Sequence, residues 1–194
     1  MKESDVFKIR RSIEKSLDTK RYEHTLGVTY TAAALAMCHG ADIRKAQIIG
    51  LLHDCGKCVE NQKKIAICEK HHVDINEIER RNPSLLHAKV GSFIAMDKYS
   101  IVDDEIIQAI LNHTTGRPAM TTLEKIVYIA DYIEPGRRQK PNLEAIRREA
   151  FVDLDKALTM IVADVLSYLD SHGSEIDPMT KETYEYYRQT ENGD

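Results

Sequence analysis

The chain has 194 residues, 42% of them hydrophobic, and a formal net charge of −4. That length suits one domain, or one with a small appendage, and the apolar content suffices for a real core, which excludes wholesale disorder. The acidic balance argues against a strong nonspecific nucleic-acid binder, while leaving room for a small phosphorylated substrate held by local Lys and Arg.

No window approaches ~18 uninterrupted apolar residues, so no transmembrane helix and no membrane partner is expected. The opening MKESDVFKIRRSIEKSL lacks the apolar core of a signal peptide. The expected location is the cytoplasm, where the four cysteines stay reduced.

Helical periodicity runs through almost the whole chain. Val6, Ile9, Ile13 and Leu17 mark one face of a first helix. Arg21–His39 reads as a second, closed by Gly40 and carrying His24 in its first turns. Asp42 can cap a third, IIGLL, which runs into His53-Asp54 and a Cys-Gly break. Asn61–His72 is a more polar helix, and a short segment near Asn76–Arg81 leads to Pro83. Ser84 is placed to cap a helix with His87 near its start, running to about Lys98.

Asp103 caps the next, whose stripe is Ile106, Ile107, Ile110 and Leu111 and which ends at His113. Thr114–Pro118, TTGRP, is a loop. Thr121 and Glu124 form a capping box for Leu123–Ile133, which contains Asp131. Pro135-Gly136 breaks the chain before Arg137, Arg138 and Lys140. Leu143–Ala150 and Leu154–Ser171 are further helices, and Asp177-Pro178 opens the last. No alternating run is long enough for a strand. The expected fold is all-α: a compact helical bundle in one domain over 1–194, with an N-terminal helix at 3–18 and C-terminal helices at 153–190 packed on it.

Imidazoles and carboxylates at helix ends, or inside apolar helices, carry the candidate chemistry. His24, His53, Asp54, His87, His113 and Asp131 all have such positions. A lone helical histidine is more often structural. A His-Asp doublet after an apolar helix is poor packing and good metal ligation. His24, His53 and Asp131 lie on separate helices, and with Asp54 they can form a cage inside a bundle.

In order, His24, His53-Asp54 and Asp131 resemble the H…HD…D pattern of the HD-domain metal-dependent phosphohydrolases. RYEHTLGV (Arg21–Val28), LLHDCGK (Leu51–Lys57), LLHAKVG (Leu85–Gly91), NHTTGRP (Asn112–Pro118) and LEKIVYIADYIEPGR (Leu123–Arg137) are similar to the bacterial symmetrical bis(5'-nucleosyl)-tetraphosphatases. The likeness extends from about Arg21 to the last helix. It implies an HD-type fold and hydrolysis of diadenosine tetraphosphate at its middle into two ADP.

The same resemblance implies a divalent metal, iron in that family, on His24, His53, Asp54 and Asp131. It places Arg21, His87, His113 and Arg137 near the nucleotide phosphates, and makes Ser171–Pro178, with His172, a segment that closes over the nucleotide. Asp131 also lies on the substrate side. Where the family often has an aromatic and Pro-Gly after the arginine, this chain reads RRQKPN (Arg137–Asn142).

The chemistry is consistent with those residue types. A nucleophile must approach an anionic phosphoanhydride against charge, and Arg21, Lys57 and Arg137 can offset it. Asp54 is expected to orient or deprotonate the water while ligating metal, with Lys57 as its catalytic neighbour. His87 and His113 either donate to phosphates, the favoured reading, or complete a second metal site with Asp54.

Competing readings are an HD hydrolase for another nucleotide (a nucleoside monophosphate, a cyclic dinucleotide or a guanosine polyphosphate) and a CxxC redox or zinc module at Cys55 and Cys58. The latter lacks both a second CxxC and a βαβ context. A nucleotide is the expected partner, and a homodimer is compatible with the sequence.

Overall fold

The computed structural model describes residues 3–138 and 140–191. Among them are eleven α-helices and no strand, the all-α architecture that the periodicity predicts. Gln139, inside the RRQKPN stretch, lies outside the described residues.

Helix α1 (Glu3–Ser16) lays Ile9 and Ile13 on the core beside α3 (Ile43–Leu52). Helix α2 (Thr19–Cys38) begins two residues before the expected start, because Asp18 accepts a hydrogen bond from Arg21 N and caps it. Asp42 caps α3 through Arg44 N and Lys45 N. Ile48, Ile49, Leu51 and Leu52 are all buried in α3. Burying such side chains is worth about 2 kcal/mol each, so the apolar turn draws the next two residues, His53 and Asp54, into the interior.

Helix α8 (Thr122–Ile133) is the central rod. Leu123, Ile126, Val127, Ile129, Ala130 and Ile133 are all buried, so it is apolar around most of its girth and packs against α2, α3, α7 (Asp104–Asn112) and α10 (Leu154–Ser171). The expected Thr121/Glu124 capping box opens it. Helix α9 (Leu143–Glu149) packs on α8 and α10, and α11 (Pro178–Glu191) packs on α10.

A smaller apolar cluster holds the polar middle of the chain. Cys68 of α4 (Asn61–Lys70), Leu86 and Val90 meet beneath α5 (Glu77–Arg81) and α6 (His87–Tyr99). One local expectation is corrected here. Ser84 does not cap α6; it lies inside a 3₁₀ turn, Pro83–Leu86. Pro83 occupies the first position of that turn, where its missing N–H costs nothing. The Ser84 carbonyl instead receives the His87 ring, at 2.8 Å.

Candidate metal centre

Three of the candidate histidines sit at the same kind of place. His53 follows α3, His87 follows the 3₁₀ turn, and His113 follows α7. Each directs Nδ1 at the carbonyl three residues back: Gly50 at 2.8 Å, Ser84 at 2.8 Å and Ile110 at 2.7 Å. Helix ends leave carbonyls free to take a second or a first partner; the Ser84 carbonyl also accepts the His87 backbone N–H. A carbonyl only accepts, so Nδ1 carries the proton and Nε2 is left as a bare lone pair. All three rings are buried.

Those lone pairs converge on Asp54. Its Oδ2 is 3.9 Å from His53 Nε2, and its Oδ1 is 3.5 Å from His87 Nε2 and 3.7 Å from His113 Nε2. The turn that places Asp54 needs Gly56, because a Cβ there would overlap the His87 carbonyl oxygen and approach Gly91 N to 2.8 Å.

Asp131, in the last turn of α8, supplies the second carboxylate. Its Oδ1 is 3.0 Å from His24 Nε2 and 4.0 Å from His53 Nε2. The potential ligand atoms therefore fall into two adjoining groups: His24, His53 and Asp131 in one, Asp54, His87 and His113 in the other. Asp54 stands at the junction, one oxygen toward each side.

A cation suits this donor set. His53 Nε2 and Asp54 Oδ1 are buried without a hydrogen-bond partner in the protein; Lys57 Nζ, 3.3 Å from Oδ1, offsets part of that cost, and a bound cation would offset the rest. Bare imidazole nitrogens and carboxylates are the ligands that iron, manganese and zinc accept. The site residues thus fit a divalent metal, and the donor chemistry does not choose between those ions.

Charge and burial tune each group. Burial opposes charge on Asp54, but the neighbouring His53, His113 and Lys57 outweigh it and hold its carboxyl well below the usual range. Burial acts the same way on Asp131, where His24, His53, His113 and Arg137 prevail and keep it ionised. Burial, with His113 and Lys57 nearby, pushes His87 down to about 3, so it is neutral at physiological pH. Burial also lowers His53. His24 moves the other way: burial opposes its charge, yet hydrogen bonding to Asp131 and Glu134 raises its pKa.

The cationic side chains ring the two carboxylates. Arg21 Nη1 is 3.7 Å from Asp54 Oδ2, and Lys57 Nζ is 3.3 Å from Asp54 Oδ1. Arg137 Nη2 donates to Asp131 Oδ1 at 2.8 Å. Two cavities open from this ring, and Lys57 and Arg137 line both. One is a groove of about 900 Å³ along Arg21, His24, Leu26 and Tyr30. The other, of about 140 Å³, is lined by His87, His113, Thr114, Tyr128 and Tyr132.

The structure brings together Arg21, His24, His53, Asp54, Lys57, His87, His113, Asp131 and Arg137. It leaves His172 outside: that ring is exposed at the end of α10, bonded to the Tyr168 carbonyl and stacked on its ring, and lines neither cavity. The adjoining segment binds α5, through Arg81 to Glu175 and Asn76 to Asp177. The CxxC pair is set apart from the donors too. Burial pushes the Cys55 thiol up to about 12, and neither cysteine joins a metal-ligand group among the described residues.

Sequence reasoning missed Glu134, which takes the His24 Nδ1 at 3.1 Å, and Thr114, whose hydroxyl is 3.2 Å from His87 Nε2 and 3.3 Å from His113 Nε2. It also missed Arg147, which holds the carbonyls of Ile133, Glu134 and Arg137 and so fixes the loop after α8. A carboxylate between an apolar helix end and Pro-Gly was the available signal for Glu134.

Comparison with known proteins agrees with this geometry. The family model for the HD domain matches residues 21–136, the stretch that contains both donor groups. A protein of Bacillus subtilis (strain 168), "Bis(5'-nucleosyl)-tetraphosphatase, symmetrical", is 38% identical over 90% of this chain and 92% of its own. A protein of Halalkalibacterium halodurans with the same name is 38% identical over 89% of this chain and 91% of its own. A crystal structure from Clostridium acetobutylicum, described as a "predicted HD superfamily hydrolase involved in NAD metabolism", superposes with a TM-score of 0.90 at 40% identity, covering 94% of this chain and 96% of that one.

Proposed function

The chain belongs to the HD-domain hydrolases, and on that premise we propose that it cleaves diadenosine tetraphosphate, and related dinucleoside polyphosphates, at the middle to give two ADP. The observation that carries the reading is two donor groups meeting at Asp54 beside two cavities that share Lys57 and Arg137. A substrate with a nucleoside at each end of a phosphate chain suits a centre bordered by two cavities. The relatives named as symmetrical tetraphosphatases support the choice of substrate.

In this reading His24, His53, Asp54 and Asp131 hold a divalent metal, with iron as the ion taken from the resemblance. A metal held there supplies Lewis acidity, lowering the pKa of its water and polarising a phosphoryl oxygen. Asp54 remains ionised and stands at the junction of the groups, placed to accept the proton of the attacking water. Lys57, Arg21 and Arg137 meet the nonbridging and leaving oxygens, where their charge counts most as negative charge develops. ADP leaves as a stable anion, so no strong acid needs to protonate it.

The hydrogen bonds favour a ligand role for His87 and His113 over phosphate donation. Their Nδ1 protons are committed to backbone carbonyls, so a neutral ring has nothing to donate from Nε2. With Asp54 they offer the donors of a second cation site.

The description of the Clostridium acetobutylicum protein raises a two-phosphate dinucleotide as a second substrate class. A panel of kcat/KM values for diadenosine tetraphosphate, NAD+, a guanosine polyphosphate, a cyclic dinucleotide and AMP decides. The expected order puts diadenosine tetraphosphate first by at least about 100-fold, the range a site gains from correctly placed charged contacts. An equal or higher value for any other member would displace it.

A further inference from the structure

His24 differs from the other three site histidines in having no helix-end carbonyl to fix its ring. It lies inside α2, where every nearby carbonyl serves the helix. Its Nδ1 instead meets a carboxylate from 110 residues away, Glu134 Oε1, at 3.1 Å. Glu134 is buried, and its other oxygen accepts the Gly136 N–H.

We propose that Glu134 is a positioning residue for the metal centre, holding the His24 Nδ1–H so that Nε2, 3.0 Å from Asp131 Oδ1, is the nitrogen left to bind the metal. The inference rests on the metal-centre reading above.

The slot around the carboxylate is shaped for it. On α2, three residues beyond His24, a Cβ on Gly27 would come 2.5 Å from Glu134 Oε2. On the other side, a Cβ on Gly136 would lie 2.9 Å from both carboxylate oxygens. Arg147 pins the backbone on which Glu134 rides, through the carbonyls of Ile133, Glu134 and Arg137.

Arg137 Nε stands 3.7 Å from Glu134 Oε1, so one carboxylate faces both a ligand histidine and the guanidinium assigned to phosphate. A negatively charged acceptor on Nδ1–H also makes the opposite nitrogen a stronger donor to metal, beyond what a neutral carbonyl gives.

The test uses the full chain, stripped with a chelator and titrated with Mn2+, and then loaded with Zn2+ for nitrogen-15 spectra of the histidine rings. Glu134→Ala is expected to weaken Mn2+ binding by about 10- to 100-fold, the range seen for lost outer-shell partners of metal-bound histidines. Glu134→Gln is nearly isosteric and should fold. It is expected to lose less, because its amide can satisfy His24 Nδ1–H or Gly136 N–H, not both.

Gly27→Ala gives the sharper contrast. Alanine is the better helix former but its Cβ would crowd Glu134 Oε2, so a purely structural slot predicts a change in thermal stability with unchanged metal binding. The proposal predicts weaker Mn2+ binding as well, since the carboxylate must shift. In the Zn2+ form the His24 Nδ1–H signal should be present in the wild type and lost or moved in both Glu134 variants.

Mn2+ affinities within twofold of the wild type in Glu134→Gln, Glu134→Ala and Gly27→Ala, with an unchanged His24 signal, would overturn the role of Glu134. Failure of the wild type to bind either ion would overturn the metal-centre reading itself, and this inference with it.

Discussion

The Nε2 atoms of His87 and His113 face each other at 3.2 Å, while both Nδ1 atoms point at backbone carbonyls. Two lone pairs at that separation repel, and the single Thr114 hydroxyl beside them can donate to only one. A shared positive charge would resolve the contact, which supports reading these residues with Asp54 as a cation site.

That contact sets a stoichiometry. The protein should bind two divalent ions per chain, and His87→Ala should bind one, with activity reduced by more than about 100-fold. Metal analysis after equilibrium dialysis reads the number. Two ions retained in His87→Ala, with only KM raised, would restore the phosphate-donor role.

Asp54→Asn is expected to lose more than either histidine, because one carboxylate faces both donor groups. Metal content and turnover should fall together, kcat by about 1000-fold or more. Full metal content with normal kcat would remove Asp54 from the centre.

Arg137 separates charge stabilisation from metal binding. Arg137→Ala removes a guanidinium 2.8 Å from Asp131 without removing a metal donor. Expected are normal metal content and kcat/KM lower by about 100-fold. An unchanged kcat/KM would take Arg137 out of the site.

Acid stability provides an independent check on the loop beside His113. Glu124 is buried and accepts from Arg117 at 2.6 Å and 2.7 Å, from Asn112 at 2.8 Å and from Thr121 N at 2.7 Å. Burial raises its pKa, but those bonds, Arg117 foremost, outweigh burial and lower it in the folded state. Its contribution is therefore complete above the unfolded carboxyl pKa and is lost as pH falls through the lower folded value. Glu124→Gln should cost about 3 kcal/mol at pH 7, a deficit that shrinks below about pH 4.5. Denaturant titrations across that range test it, and a pH-independent deficit would contradict it.

The cysteines should be dispensable. Cys55→Ser with Cys58→Ser is expected to leave hydrolysis within about threefold, since small changes at residues without a site partner have small effects. Loss of metal from that double variant would revive the CxxC reading.

Much of this site was legible in the order of residues. An apolar turn ending in His-Asp forces the doublet inside, and Asp131, half-buried on the apolar α8, had to lie beside a partner. What could not be read was the division of the donors. Whether Asp54 belongs with His24 or with His87 depends on how α7 brings α6 beside the end of α3, a matter of packing between elements distant in sequence. The 3₁₀ turn at Pro83 looked like the first turn of α6, because a serine after a proline is also a good helix cap. Glu134 and Arg147 stayed hidden for a further reason. Glu134 meets His24 from 110 residues away, Arg147 reaches back from α9 to the carbonyls of the loop after α8, and such charged residues read as solvated until their contacts are known.

Symmetrical, metal-dependent cleavage is read from the products of diadenosine tetraphosphate. Protein stripped of metal should be inactive. After reloading with Fe2+ or Mn2+ it should yield ADP alone, two per substrate consumed, by chromatography at early time points. ATP and AMP in equal amounts, or undiminished activity in the stripped protein, would contradict the account.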